Sequence, residues 1–311
     1  MSFTTTRLPM GDGTELAVYA WATTVQPKAV VQIAHGMSEH ATRYDHVARA
    51  LVDAGYAVYA DDHRGHGLTA KSPDDLGFFA DEGGWAKVVD DLYRVNRHIA
   101  QAHPGVPIVL LGHSMGSFLA QDYLCTHGDT LAAAVLSGTN SGGAGLARLA
   151  LAIARLERWR IGPRGRSKLL DILTKGDFNR RFKPNRTTAD WLSRDPAEVD
   201  KYMADPLCGF MFTVQGWIDL LGGVVRIDEP LNQARVPKQL PIYVFSGAED
   251  PVGGAGKGVV TMVKAYQRAG LSRVSSKLYP GGRHEMVNET NKAEVIADLI
   301  AWLDAKVGAA R

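Results

Sequence analysis

The chain reads as an α/β protein: a mostly parallel central sheet with helices on both faces, interrupted by a helical insertion. Three observations carry that expectation. Short apolar runs alternate with segments of helical spacing up to about residue 140. Several of the runs are apolar nearly throughout, as strands covered on both faces are. The alternation then lapses between about 141 and 230, where helical patterns follow one another without a clear strand, and resumes at Ile242. Strand–helix–strand alternation at this spacing favours parallel pairing, with ligands bound beyond the carboxyl ends of the strands.

Taken in order, residues 16–23 read as a strand after the Gly11-Asp12-Gly13 turn, and 29–34 as a second, buried one. Tyr44, Val47, Leu51 and Val52 share a helical face that ends at Gly55. Strand 56–60 opens into Asp61-Asp62-His63-Arg64-Gly65-His66-Gly67. Trp85, Val88, Val89, Leu92, Val95 and Ile99 mark a helix over 85–103, before the strand 107–111. Leu131 to Leu136 is the next strand. After the insertion come a strand at 242–245, a helix at 258–269, a strand at 274–279 and a last amphipathic helix at 292–306. The expected division is a core of 1–140 and 231–311 with a helical cap of 141–230.

Composition excludes several function classes. With 35 Lys and Arg against 33 Asp and Glu, the formal charge of +2 is too small to point to nucleic acid. Cys125 and Cys208 make neither a disulfide framework nor a metal spacing, which fits a reducing compartment. The first residues lack the apolar stretch of a signal peptide, and no run of about 18 apolar residues occurs. A soluble cytoplasmic protein is expected, with any membrane contact peripheral.

The chemistry centres on Gly112-His113-Ser114-Met115-Gly116. An apolar run precedes it and a helical pattern follows, the strand–turn–helix context of a G-x-S-x-G nucleophile turn. Such a turn strains the serine backbone and crowds the residues on either side, hence the glycines. It displays the hydroxyl at a helix start, where free N–H groups steady negative charge. A serine hydroxyl needs a base. His284 follows the last strand in a glycine-rich loop, and Asp250 follows the strand before it. Ser114, Asp250, His284 is the chain order of α/β-hydrolase triads. Glu249 is the alternative acid. For an oxyanion, the backbone N–H of Met115 is one expected donor and that of Met37, in His35-Gly36-Met37, the other. His35 and His113 are read as braces of their loops. Asp62, His63 and His66, with Arg64 and two glycines among them, are read as loop-bracing too. No metal site and no cofactor is expected.

These motifs together resemble the monoacylglycerol lipases and bacterial lysophospholipases of the α/β-hydrolase fold. The resemblance rests on His35-Gly36-Met37-Ser38-Glu39-His40-Ala41-Thr42-Arg43-Tyr44, which is similar to their HGxxEHxxRY segment, and on Asp62-His63-Arg64-Gly65-His66-Gly67, similar to their DHxGHG turn. The serine pentapeptide, Gly247-Ala248-Glu249-Asp250-Pro251-Val252 and Gly282-Arg283-His284-Glu285 fit as well, as do Ser193-Arg194-Asp195 and Asp205-Pro206-Leu207 in the insertion. The likeness runs from about 10 to 305. It implies a serine esterase acting on single-chain lipid esters through an acyl-enzyme, with Ser114, Asp250 and His284 as triad and Met37 and Met115 as oxyanion donors. Two departures stand out: Ser117 where many members carry glycine, and Thr69 where serine is common. A peptidase or amide hydrolase would use the same triad, and a non-catalytic binding protein with a relic site is the reading from another class.

Within the insertion, residues 141–180 carry nine Lys or Arg and three Asp or Glu, a net +6. Leu146, Leu149, Ile153 and Leu156 recur there at helical spacing. Such a stretch suits a helix resting on an anionic lipid surface, a helix packed on its own domain, or the wall of an acyl channel. Met203, Leu207, Phe210, Met211, Phe212 and Val214 are candidates for further wall, or for plain core. Cys208 is expected near the pocket's border.

Overall fold

The computed structural model describes residues 3–307. Eight strands form one sheet in the order β1-β2-β4-β3-β5-β6-β7-β8. β1 (Thr4–Pro9) and β2 (Glu15–Trp21) form an antiparallel hairpin, and β2 pairs antiparallel with β4 (Ala57–Asp61). From β4 onward all pairing is parallel, through β3 (Val30–Ala34), β5 (Ile108–His113), β6 (Ala133–Ser137), β7 (Ile242–Gly247) and β8 (Val274–Tyr279). This is the α/β-hydrolase fold. β1 was not legible in the sequence: five of its six residues are exposed, so no apolar alternation marks it.

Side-chain alternation divides the sheet between two cores. Val31, Ile33, Val109, Leu111, Val135 and Phe245 face one side. There they meet α1 (Asp45–Asp53) through Val47 and Leu51, and α10 (Lys292–Lys306) through Val295, Leu299 and Leu303. Val30, Leu110, Ala134, Leu136 and Val244 face the other side. They meet α2 (Gly84–Ala102), α3 (Met115–His127) and α9 (Lys257–Arg268). The central strands are buried on both faces, which is why their sequences read as continuous apolar runs.

The connection from β6 to β7 holds α4 (Ala144–Ile161), α5 (Lys168–Lys175), α6 (Pro196–Ala204), α7 (Val214–Ile227) and the short α8 (Pro230–Gln233). Thr213 caps α7 by accepting from Gly216 N–H at 3.1 Å, and Asp195 caps α6 by accepting from Ala197 N–H at 3.0 Å. α7 packs on α2 and α3, and its Val214, Trp217, Leu220 and Leu221 join the core beneath the sheet. α4 packs against α7 on a stripe of small residues, Ala147, Ala150 and Ala154, and turns Leu146, Leu149 and Leu156 outward. Of the sequence candidates for further wall, Phe212 and Val214 are wholly buried core, and Phe210 and Phe212 pack around the His66 ring. Met203 is 48% exposed.

The β5–α3 turn explains its own glycines. A Cβ on Gly112 would lie 2.3 Å from the Gly116 carbonyl oxygen, and one on Gly116 would lie 2.0 Å from that of Ala34. Both are shorter than any real contact, so the helix reaches the sheet only because these positions lack side chains. Gly116→Ala is expected to lower the unfolding free energy by about 1–3 kcal/mol or more through overpacking. An unchanged urea midpoint at unchanged slope would contradict the close approach.

Candidate active site

The parallel register brings the three motif loops to one edge. Ala34 pairs with Gly112, and His113 with Ser137, so the loops after β3, β5 and β6 start level with one another. Ser114 begins α3 with φ 52° and ψ −120°. A non-glycine residue held there costs about 1–3 kcal/mol and persists only where its surroundings over-determine it. Here Ser114 N–H donates to the Ser137 carbonyl at 2.9 Å, while its own carbonyl accepts the Ser117 N–H at 2.9 Å and the Ser117 hydroxyl at 2.6 Å. Ser117, the departure from glycine, therefore adds a bond to the turn. Thr69 fits as readily: its hydroxyl donates to the Asp62 carbonyl at 2.6 Å and accepts Ala17 N–H at 2.9 Å.

His284 and Asp250 meet across two loops, with Nδ1 3.0 Å from Oδ1. Asp250 is wholly buried and also accepts the Ser246 hydroxyl at 2.8 Å and Val252 N–H at 2.9 Å. Glu249, the alternative acid, is exposed. Burial alone would raise the Asp250 carboxyl. The charge and hydrogen bond of His284, with the Ser246 bond, outweigh it and hold Asp250 below the usual carboxylate range. Burial alone would lower His284, and the Asp250 charge and hydrogen bond raise it above the ordinary imidazole value instead. With Nδ1 engaged, Nε2 is the nitrogen left to exchange a proton. Ser114 and His284 line the same cavity, of about 120 Å³.

Met37 and Met115 line that cavity as well. Among the described residues neither backbone N–H has an acceptor, whereas the adjacent Ser38 N–H donates to His66 Nε2 at 3.2 Å. Two free donors beside a strained serine make a cradle for developing negative charge. Gly36 keeps this approach open: a Cβ on it would lie 2.6 Å from Glu39 Oε1 and crowd the Ser114 Cβ at 3.2 Å.

The histidines beside the loops act as braces. His35 Nδ1 lies 2.8 Å from the Gly36 carbonyl, His35 Nε2 accepts His63 N–H at 3.0 Å, and the two rings stack at 4.0 Å. His63 Nδ1 meets Asp61 at 2.9 Å. Asp62 accepts Ala41 N–H, Leu68 N–H and the Tyr19 hydroxyl. Burial keeps His66 (to about 3) and His113 (to about 4) well below the ordinary imidazole value, so both are neutral near pH 7. Gly138 leaves room for two of these rings: a Cβ there would meet His113 Cε1 at 2.9 Å and His284 Cε1 at 3.0 Å.

Two parts of the site escaped the sequence reading. The first is an ionic bridge between the oxyanion loop and the base loop. Arg43 pairs with Glu39 and binds Glu285 in two-pronged fashion at 2.8 and 2.7 Å. Glu39 in turn holds Gly36 N–H and the Tyr44 hydroxyl. Burial would raise Glu285, but the Arg43 guanidinium pulls it down to about 2. The motif letters were visible, but the 242-residue separation of Arg43 from Glu285 gave no local signal. The second is Trp191, from the insertion, whose ring lies 5.0 Å from that of His284 and whose carbonyl accepts His284 N–H at 3.4 Å.

A second, larger cavity of about 610 Å³ adjoins the first. Phe118, Thr174, Phe178, Trp217, Leu220 and Val252 line both. Leu146, Leu149 and Ile153 of α4 border the larger one. None of the expected further-wall residues lines either cavity, and neither does Cys208.

A family model described as serine aminopeptidase, S33, matches residues 25–291. The chain belongs to that family. It is 30% identical over 295 residues to a monoacylglycerol lipase of Mycolicibacterium smegmatis, covering 94% of this chain and 93% of the relative. It is 28% identical over 309 residues to the human monoglyceride lipase, covering 96% and 90%. A thermostable carboxyl esterase from Bacillus coagulans, solved with glycerol, superposes with a TM-score of 0.91 at 29% identity over 99% of each chain. The protein is a carboxylic ester hydrolase of the α/β-hydrolase fold.

Arg43→Met would leave two carboxylates buried without their cation, at a cost of about 3–5 kcal/mol at neutral pH. The sign with pH follows from the depressed Glu285. Its contribution is present above the ordinary value of 4.5 and is lost as pH falls toward about 2. The gap between wild type and variant should therefore narrow on acidification, as measured by urea unfolding at pH 7 and pH 4. A gap that widens would contradict the assignment.

Proposed function

We propose that the protein cleaves monoacylglycerols or similar single-chain lipid esters through an acyl-enzyme on Ser114, beneath a cap formed by residues 141–230. The observation that carries this reading is the continuity of a small cavity, into which the polar groups of Ser114 and His284 are set, with a larger one, both lined mostly by apolar side chains. The first is bordered by Ser114, His284 and two free N–H groups, and the second has the size and lining of a site for an alkyl chain.

In the proposed sequence, His284 Nε2 takes the Ser114 proton as Oγ attacks the ester carbonyl carbon. Asp250 fixes the ring and stabilises its charge. The carbonyl oxygen becomes an oxyanion between the N–H groups of Met37 and Met115. Collapse breaks the bond to the alcohol, which leaves with the proton from His284. Water, deprotonated by the same nitrogen, then attacks the acyl carbon and frees the acid, and the proton returns to Ser114. Trp191, packed on the His284 ring, limits its rotation throughout. The kinship with monoacylglycerol lipases favours a lipid ester over a peptide; the family's designation as serine aminopeptidase keeps an amide substrate as the second reading.

Ser114→Ala should retain its circular dichroism and lose p-nitrophenyl ester hydrolysis and fluorophosphonate labelling together. Wild-type turnover of a monoacylglycerol should exceed that of an aminoacyl arylamide. The reverse order would overturn the substrate, and full activity in the variant would overturn the nucleophile.

The same reading includes peripheral contact with a membrane. No described helix is long and apolar enough to cross one. α4 and α5 nonetheless expose Leu146, Leu149, Leu156, Trp159 and Ile172, with Trp159 85% accessible, beside the exposed Arg148, Arg155 and Arg158. Apolar side chains ringed by cations suit the interface of an anionic bilayer. Co-sedimentation with vesicles containing anionic lipid should fall several-fold on changing Arg155, Arg158 and Arg160 to Gln, and again on Leu156→Ser with Trp159→Ser. Equal binding by all three proteins would remove this contact.

A further inference from the structure

Outside the reaction site, one cluster joins His40 to two residues at least 165 positions away in the sequence. His40, at the end of the oxyanion loop, points Nε2 at Asp205 Oδ2 from 2.9 Å. The ligand atoms of His40, Asp205 and Cys208 all lie within 4.8 Å of one another. We propose that these three side chains form a binding site for a single divalent cation of the Zn²⁺ class.

Imidazole, carboxylate and thiolate are the three side-chain ligands that tetrahedral Zn²⁺ accepts. In such a site neighbouring ligand atoms stand roughly 3.3–3.8 Å apart, from metal–ligand lengths of about 2.0–2.3 Å. The cluster needs only small side-chain adjustments to reach that shape. Asp205 and Cys208 stand three residues apart in one tight turn, a spacing that presents two ligands side by side in zinc loops. The turn is already closed by Cys208 N–H donating to the Asp205 carbonyl at 3.0 Å, and Asp205 Oδ1 holds Leu207 N–H at 2.8 Å. His40 Nδ1 sits 2.9 Å from the Thr42 hydroxyl, an outer partner that orients the ring and leaves Nε2 for a metal. Arg43, whose charge acts on both Asp205 and Cys208, is engaged by Glu39 and Glu285. Asp205 is 31% accessible and Cys208 is partly so, which gives an ion a way in and room for water as fourth ligand.

Binding would release the thiol proton to solvent and involve no redox change. Its structural effect would be a clasp. His40 follows Ser38, whose carbonyl accepts Gly209 N–H at 2.9 Å and whose hydroxyl donates to the Phe210 carbonyl at 2.8 Å. A metal would replace the His40–Asp205 hydrogen bond with a stronger link between the loop after β3 and the 205–210 segment of the insertion. The sequence offered no sign of it, since His40 and Asp205 belong to separate motifs and Cys208 to none.

The test is a cobalt titration of the full chain after treatment with EDTA. One Co²⁺ per chain is expected, with a near-ultraviolet sulfur-to-metal absorption band that Zn²⁺ abolishes by displacement. Cys208→Ser should lose the band, Cys125→Ser should keep it, and Asp205→Asn should weaken binding at least tenfold. Protection of Cys208 from iodoacetamide by Zn²⁺, read by mass spectrometry on wild type, supports the site without any variant. Absence of the band in wild type, its persistence in Cys208→Ser, or unprotected alkylation would each overturn the proposal.

Discussion

The contact on which the site depends is the approach of Gly116 to the Ala34 carbonyl, closer than any Cβ permits. It sets the first turn of α3 against the carboxyl end of β3. Two consequences follow from that one distance. Ser114 is pressed into its unfavourable backbone conformation, and the loop leaving β3 is brought beside it, so that Gly36 lies against the Ser114 side chain. Ser114, the proposed nucleophile, and the loop carrying the Met37 N–H are thus placed by packing between a helix and a sheet.

His284, the proposed base, is placed by different forces. It stands on a loop after β8, remote in sequence from both Met37 and Met115. Asp250 fixes its ring, and Glu285, the next residue, is tied through Arg43 to Glu39 and so to Gly36. Charges this deeply buried contribute little net stability, because desolvation offsets their attraction. Their value is geometric: the pairing leaves few other places for either loop to sit. Trp191 adds a link from the insertion, with Leu192 accepting Glu285 N–H at 2.8 Å and the Arg283 guanidinium reaching the Asp190 carbonyl. The base loop therefore senses the position of the insertion directly.

Much of this was legible in the sequence, mostly for local reasons. Buried parallel strands announce themselves as apolar runs, and the G-x-S-x-G turn and the two glycine-rich histidine loops are short-range signals; the Ser–Asp–His order is long-range, but each of its members closely follows an expected strand. β1 left no such signal because it is an exposed edge strand. The Arg43–Glu285 bridge and the Trp191 contact left none because each joins segments distant in the chain. The reading of Phe210, Phe212 and Val214 as wall, left open against plain core, resolves on the side of the core: apolar character marks burial without saying what is being buried against.

α4 makes that last point sharper. Its leucines recur with helical spacing, and periodicity alone would turn them inward. The structure buries the alanines instead, since small side chains let α4 lie close along α7, and closeness gains dispersion contacts that bulkier residues would prevent. The leucines are left to border the large cavity and the outer surface. An apolar face turned outward is costly in water and is retained where it meets something apolar. An alkyl chain entering the cavity and a bilayer surface beneath it would both meet the same face. On the proposed reading, the insertion would couple where the protein rests to what reaches Ser114.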